Sequence, residues 1–198
     1  MPDHQTDHPA TQEHAVYLAG PGVFRQNARA HGAHLVAACT HAGLKGLYPL
    51  DAELDAQAYP TPPAFAAAIA QANMGLIRRC QGVIADLSPF RGPNVDDGTA
   101  FEIGYAHALG LPVFGYVEAG SHTALYPDRV RASGAAVTSV MADNHAILVD
   151  EGGLVVEDFG LPVNLMIATV LSASGTIFPS AEGAIAAAAA HLRGQSGA

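Results

Sequence analysis

The segment GVIADLSPFRGPNVDDGTAFEIGYAHALGLPVFGYV, from Gly82 to Val117, contains the pattern that decides the fold. Its first residues, Gly82–Leu87, form a short apolar run typical of a strand buried in a parallel sheet. A loop rich in proline and aspartate follows, then a helix predicted over Gly98–Leu109, and then a second apolar run, Leu111–Val117. A strand, a helix and a strand in this order predict a parallel βαβ unit.

The same alternation extends over the rest of the chain. Apolar runs predict further strands at Ala15–Gly20, Lys45–Leu50 and Thr176–Phe178, and helical spacing predicts helices over Phe24–Gly43, Pro62–Cys80, Asn164–Ala173 and Ser180–Gly194. We therefore expect an α/β fold: a flavodoxin-like, doubly wound parallel sheet of about five strands with helices on both faces. Residues 1–13 are expected to be a flexible polar tail and residues 14–198 a single domain. The interval from Glu118 to about Phe159 has mixed signals, and no element is predicted there.

The composition excludes several function classes. A formal net charge of −9 has the wrong sign for a protein that binds nucleic acid. The polar start has no secretion signal, and no apolar run approaches the ~20 residues needed to span a bilayer. Cys39 and Cys80 have no metal-ligand spacing, and the ten histidines lack the carboxylates or thiols of a ligand set. We expect a cytoplasmic protein that binds small molecules, with no nucleic-acid or membrane partner and no metal or organic cofactor.

Ligands of doubly wound sheets bind outside the carboxyl ends of the strands. The sequence Gly20-Pro21-Gly22 follows the first predicted strand and resembles the start of a dinucleotide-binding loop, but Arg25 stands where that loop needs glycine. Two interpretations remain open: a tight turn between strand and helix, or a loop that lets a ligand approach the backbone closely.

Two carboxylates follow the third predicted strand. Glu102 is expected in the first turn or so of the helix, where the helix dipole would keep it ionised and Phe101, Ile103 and Tyr105 would surround it with apolar surface. Asp96 lies six residues earlier, in the loop, so the two groups can serve as nucleophile and proton donor in glycoside chemistry. The alternative is structural: an aspartate caps the helix and Glu102 only favours its dipole.

A lone amide, Asn164, lies in the apolar segment VEDFGLPVNLMIATVL. A buried amide must be hydrogen-bonded, so Asn164 either caps a helix or binds a hydroxyl group of a ligand.

Together these segments resemble the nucleoside 2-deoxyribosyltransferase family. The matching pieces are VYLAGPGVF (Val16–Phe24), CQGVIADLSPFRGPNVDDGTAFEIGYAHALGLPV (Cys80–Val113) and DFGLPVNLM (Asp158–Met166). They occur in the family's order over most of the chain, and the central motif is the specific one. The family fold is a flavodoxin-like sheet, in agreement with the strand pattern.

The resemblance implies a role for each matching residue. Glu102 would be the nucleophile that forms a covalent deoxyribosyl intermediate, Asp96 its acid/base partner, and Tyr17 the residue that orients Glu102. Asn164 would bind the sugar 5'-hydroxyl in the site of a neighbouring subunit, so the protein would be a homo-oligomer. The remaining substrate-binding residues would be Gly20 and Pro21 in the pocket wall, Asp51 or Glu53 facing the base, and Asp86.

Two positions depart from the family pattern. Met74 stands where some members have an additional active-site aspartate, so their base preference cannot be transferred to this chain. Asp86 stands where asparagine is frequent, which is expected to change how the loop holding Asp96 is tied down.

The expected function is base exchange between 2'-deoxynucleosides and free purine or pyrimidine bases, a reaction of nucleotide salvage. The alternatives are a hydrolase of the same fold that cleaves nucleoside 5'-monophosphates, with Arg25 or Arg91 binding the phosphate, and a nucleotide-sensing domain without catalysis.

Overall fold

The computed structural model describes residues 13–51, 54–118, 124–172 and 176–195. The helices are α1 (Ala28–His41), α2 (Pro62–Ile77), α3 (Asp97–Ala108), α4 (Tyr126–Ala132), α5 (Leu165–Ala168) and α6 (Ala181–Gln195). The strands are β1 (His14–Ala19), β2 (Leu44–Leu47), β3 (Gly82–Asp86), β4 (Val113–Tyr116), β5 (Val137–Ala142), β6 (His145–Asp150), β7 (Val155–Val156) and β8 (Ile177–Phe178).

Five strands form one parallel sheet in the order β2-β1-β3-β4-β8. With β8 as the fifth strand, this is the order of a flavodoxin-like sheet, so the predicted fold class is confirmed. All five residues of β3 are buried, as expected of a strand covered on both faces.

Side-chain alternation along β1 divides the core into two layers. Val16 and Leu18 pack with α1 and α6 on one face of the sheet, whereas Tyr17 and Ala19 pack with α2 and α3 on the other. The register of β1 therefore turns the Tyr17 hydroxyl towards the helix that bears Glu102.

The interval without a predicted element contains α4 and a second, antiparallel sheet in the order β5-β6-β7. β5 and β6 are joined at Asp143 and Asn144, whose φ angles of 47° and 65° are those of a tight hairpin turn. Most residues of β5 and β6 are exposed or only partly buried. Because neither face is buried in the core, the sequence lacks the apolar alternation by which a strand is recognised.

Several predicted elements are shorter in the structure. α1 begins at Ala28 rather than at Phe24, which belongs to a preceding 3-10 turn, and β4 is confined to Val113–Tyr116. α5 has four residues, α2 ends before Cys80, and β2 ends at Leu47 because the short 3-10 turn Pro49–Asp51 follows it. Within the described residues, no helix is both long and apolar enough to cross a bilayer.

Candidate active site

A cavity of about 720 Å³ opens at the carboxyl end of β1. One wall is formed by α2 and α3 and contributes Asn73, Asp96 and Glu102; another is formed by residues that follow β1 and β2, including Gly20 and Leu50. The cavity therefore lies where ligands of doubly wound sheets bind.

Glu102 is held in this cavity by two donors. The Tyr17 hydroxyl donates to Glu102 Oε1 at 2.5 Å, and Asn73 Nδ2 donates to the same oxygen at 3.4 Å. Burial raises the pKa of Glu102 to about 7, the hydrogen bond from Tyr17 opposes this rise, and the nearby charge of Asp96 adds to it. Burial, reinforced by the charge of Glu102, raises the pKa of Tyr17, which therefore stays a neutral donor.

This environment differs from the one expected from the sequence. α3 begins at Asp97, which puts Glu102 in its second turn, where the helix dipole is weaker. Phe101 is 60% exposed and Ile103 faces the opposite side of α3, so neither encloses the carboxylate as predicted. The apolar surface of the cavity comes instead from Phe65 and Ile69 of α2, among others. Glu102 is therefore not held fully ionised near neutral pH.

Asp96 lines the same cavity and also caps α3. Its Oδ2 accepts hydrogen bonds from the Thr99 backbone N–H at 2.9 Å and from the Thr99 hydroxyl at 3.1 Å. The structural alternative, an aspartate that caps the helix, is thus realised by Asp96, while Asp97 is the first helical residue. Because Asp96 is also in the cavity wall with Glu102, capping and a chemical role are compatible.

Gly20 lines the cavity as well, and it has to be glycine. A Cβ atom at this position would lie 2.8 Å from the Cβ of Asp86, so no side chain fits between β1 and β3 there. Pro21 begins a short 3-10 turn, Pro21–Phe24, and is not part of the cavity lining.

Two acidic residues expected to contact substrate have structural partners. Asp51 Oδ2 accepts from the Tyr48 backbone N–H at 2.8 Å, and Asp51 does not line the cavity. Asp86 is only 2% exposed, and its Oδ1 accepts from both the N–H and the hydroxyl of Ser88. Burial raises the pKa of Asp86. Asp86 therefore fixes the start of the loop that leads to Asp96. Glu53 lies outside the described residues.

Asn164 lies away from the cavity of its own chain. It caps α5, accepting from the Met166 backbone N–H at 3.0 Å and donating to Glu157 Oε1 at 2.8 Å. It lines a second cavity, of about 540 Å³, together with Ile103 on the other side of α3 from Glu102. Within one chain, Asn164 is a helix cap.

Several cavity residues were missed by the sequence interpretation. Asn73, not its neighbour Met74, is the side chain of α2 that contacts Glu102. The signal was present: Phe65, Ile69 and Ala72 repeat at helical spacing and line the cavity, and Asn73 is a polar residue beside that stripe. Other missed residues include Arg29, Asp55 and Phe24. Among the described residues, no group of three or more His, Cys, Asp or Glu side chains could hold a metal ion.

Comparison with known proteins supports the resemblance. The profile of the nucleoside 2-deoxyribosyltransferase family matches residues 16–166. The chain is similar to the uncharacterized protein C191.05c of Schizosaccharomyces pombe, with 33% identity over 177 residues that cover 84% of this chain and 82% of that protein. It is also similar to the solved 2-desoxiribosyltransferase of Leishmania mexicana, with 34% identity, a TM-score of 0.64, and coverage of 90% of this chain and 98% of that one. A conserved protein of Enterococcus faecalis shares the fold, with 19% identity, a TM-score of 0.52, and coverage of 92% and 99%.

Proposed function

The chain belongs to the nucleoside 2-deoxyribosyltransferase family, and on this basis we propose that it exchanges the base of 2'-deoxynucleosides through a covalent deoxyribosyl–Glu102 intermediate, with retention of configuration. The observation that carries the proposal is the Tyr17–Glu102 hydrogen bond in a large cavity that also contains Asp96. The arrangement supplies a positioned nucleophile and a second carboxyl group to one substrate.

In the first step, the ionised Glu102 carboxylate attacks C1' and the bond from C1' to the base nitrogen breaks. The electron pair of that bond leaves with the base, which takes a proton from the acid form of Asp96, directly or through a water held by it, and Asp96 becomes a carboxylate. The transition state has oxocarbenium character. The negative charge of Glu102 therefore stabilises it most when the bond to the base is nearly broken.

In the second step, a nitrogen of the incoming base attacks C1' from the face that the first base left. The C1'–Oε bond breaks, its electron pair returns to Glu102, and the proton of the incoming base passes to Asp96 or its water. Two inversions at C1' give net retention, and the kinetics are ping-pong. Neither step calls for a metal or an organic cofactor.

Tyr17 and Asn73 act on the same oxygen of Glu102 in this cycle. Both donate to Oε1 of Glu102, which leaves Oε2 as the atom to attack C1'. Hydrogen bonds to the carboxylate favour its charged form and oppose the effect of burial.

In this proposal, Asn164 contacts the substrate bound in the cavity of a neighbouring subunit. Its place on the far side of α3 keeps it out of its own chain's cavity, so contact with a substrate's 5'-hydroxyl would need a homo-oligomer. On substrate binding, the Asn164 amide would exchange Glu157 for the hydroxyl group as its partner.

In this structure both candidate phosphate donors of the hydrolase alternative already have partners. Arg25 Nη2 pairs with Glu118 Oε2 at 3.1 Å. Arg91 Cζ lies 5.6 Å from the ring centroid of Phe24 and 4.8 Å from that of Phe90.

The test is a chromatographic assay with 2'-deoxyadenosine and 2'-deoxyuridine as donors, each with and without a second free base. We expect a new deoxynucleoside only when the second base is present. Glu102→Ala should remove turnover by several orders of magnitude, whereas Glu151→Ala, at an exposed turn, should not.

Two other results would reject the proposal. Base release at one rate with and without acceptor would identify a hydrolase, and the assay would then be repeated with 5'-monophosphates. No turnover of any donor, with ligand binding unaffected by Glu102→Ala, would identify a sensing domain.

A further inference from the structure

The cavity contains a polar pair that the proposed chemistry at C1' does not use. Arg29, in the first turn of α1, and Asp55 both line it. Within the described part of the chain, no hydrogen bond or ion pair engages the Arg29 guanidinium group. Asp55 caps a short turn with Oδ1, which accepts from the Gln57 N–H at 2.9 Å, and its second oxygen is available to a ligand. The pair offers one strong donor group and one acceptor.

The pair and Glu102 line the same cavity but are carried by different elements. Arg29 belongs to α1, which packs on one face of the sheet, while Glu102 belongs to α3 on the other face. Asp55 follows β2, the edge strand on the side of β1 away from β3. With C1' at Glu102, a base that extends from C1' into the rest of the cavity meets the lining to which Arg29 and Asp55 belong.

Two aromatic side chains of the cavity suit a flat ring. Phe24 and Phe65 both line the cavity, and Phe24 is 58% exposed. The Phe24 ring is held by stacking on Phe90, with the ring centroids 5.2 Å apart and Arg91 above both rings. An aromatic surface stabilises a base by stacking regardless of its hydrogen-bonding groups, so the choice between bases falls to the polar pair.

We infer that Arg29 and Asp55 select 6-oxopurines, so that 2'-deoxyinosine and 2'-deoxyguanosine are the preferred donors; this inference rests on the proposed function. A guanidinium group only donates, and it pairs with two adjacent acceptors such as O6 and N7. The Asp55 carboxylate only accepts, and it pairs with the N1–H group of the same base. Adenine presents the opposite groups, an N6 amine to Arg29 and an unprotonated N1 to Asp55, so both contacts become unfavourable.

Arg29 could instead contact the 5'-phosphate of a nucleotide. Asp55 in the same cavity and the net charge of −9 both disfavour a dianion there, whereas a neutral base with donors and acceptors matches the pair.

The experiment measures base release in the first half-reaction, with enzyme in excess and no acceptor, from 2'-deoxyinosine, 2'-deoxyadenosine and 2'-deoxyinosine 5'-monophosphate. We expect the wild type to release hypoxanthine at least about 10-fold faster than adenine, since a good bidentate contact discriminates by roughly 10- to 100-fold. Arg29→Met should lower the rate with 2'-deoxyinosine by that factor and should not lower the rate with 2'-deoxyadenosine, because it removes an unfavourable contact with the N6 amine. Asp55→Asn should act in the same direction, and Arg79→Met, at an exposed site after α2, is the matched control.

Three results would overturn the inference: faster release from 2'-deoxyadenosine by the wild type, equal losses with both purines in Arg29→Met, or a loss confined to the monophosphate. Calorimetric binding of free hypoxanthine and adenine separates this inference from the proposed function because it needs no turnover. Arg29-dependent binding of hypoxanthine without any base release would reject the proposed chemistry and retain the selection by Arg29. Absence of both binding and release would reject both.

Discussion

Replacing Glu102 by glutamine should stabilise the protein at high pH, because the folded structure holds this carboxyl group in surroundings that disfavour its charge. Burial raises the pKa of Glu102 to about 7 from an ordinary value of 4.5. Glutamine keeps the size of the side chain and an oxygen that can accept from Tyr17, but it has no charge to bury.

The size of the effect follows from proton linkage. Below pH 4.5 the carboxyl group of Glu102 is protonated in both folded and unfolded chains, so its ionisation does not affect stability. Between 4.5 and about 7 the unfolded chain ionises first, and the free energy of unfolding falls by about 1.4 kcal/mol per pH unit. Above about pH 7 the free energy of unfolding stops falling, after a total loss of about 3 kcal/mol. Glu102→Gln would recover most of this loss.

Urea unfolding of wild type and Glu102→Gln at pH 4, 6 and 8 measures this directly. The expected gain of the variant is small at pH 4 and about 3 kcal/mol larger at pH 8, equivalent to roughly 6–12 °C in Tm for a chain of this size. Glu151→Gln, at an exposed turn, is the control and should change stability by less than about 0.5 kcal/mol. A stability difference between wild type and Glu102→Gln that does not change from pH 4 to 8 would refute the reasoning.

Three further predictions follow from the site. The kcat/KM for a 2'-deoxynucleoside should rise with pH through about 7 as Glu102 ionises. Tyr17→Phe removes a hydrogen bond that lowers the pKa of Glu102, so it should move this rise to higher pH. A pH–rate profile of both proteins checks this. Asp96→Ala should lose about 1 kcal/mol of stability with the helix cap, whereas Asp96→Asn should keep the cap and lose turnover, which thermal unfolding and the exchange assay distinguish. Gly20→Ala should destabilise the fold by about 1–3 kcal/mol, because its Cβ would lie 2.8 Å from the Cβ of Asp86 in β3. Its control is Gly75→Ala in α2, which has open space around it and should be neutral or stabilising by up to about 1 kcal/mol. Urea unfolding measures both.

The parallel sheet could be predicted from the sequence because its strands are buried. Apolar runs such as Gly82–Leu87, bounded by turns, carry a signal of their own, and the helices between them fix parallel pairing. The hairpin of β5 and β6 carries no such signal, since exposed strands are not constrained to alternate. Its turn at Asp143 and Asn144 lacks the glycine that usually marks a tight hairpin turn.

The candidate site could be predicted only where its residues are close together in the sequence. Asp96 and Glu102 are six residues apart, so spacing alone placed them at one end of a helix. The family resemblance also suggested Asp51, but its carboxylate accepts a hydrogen bond from the Tyr48 backbone N–H. Arg29 and Asp55 gave no local signal, because only the packing of α1 and the chain after β2 brings them to the same cavity.

The protonation of Glu102 shows why a motif cannot replace the structure. The motif places this residue near a helix N-terminus, where the dipole favours a charged carboxylate. Its pKa is instead controlled first by burial, and next by the hydroxyl of Tyr17, 85 residues away in sequence. These effects act in opposite directions, and the balance between them leaves the proposed nucleophile about half ionised near neutral pH. A buried carboxylate of this kind is poorly solvated and reactive once charged. In the proposed mechanism, the hydrogen bonds from Tyr17 and Asn73 keep enough of it in that form for attack at C1'.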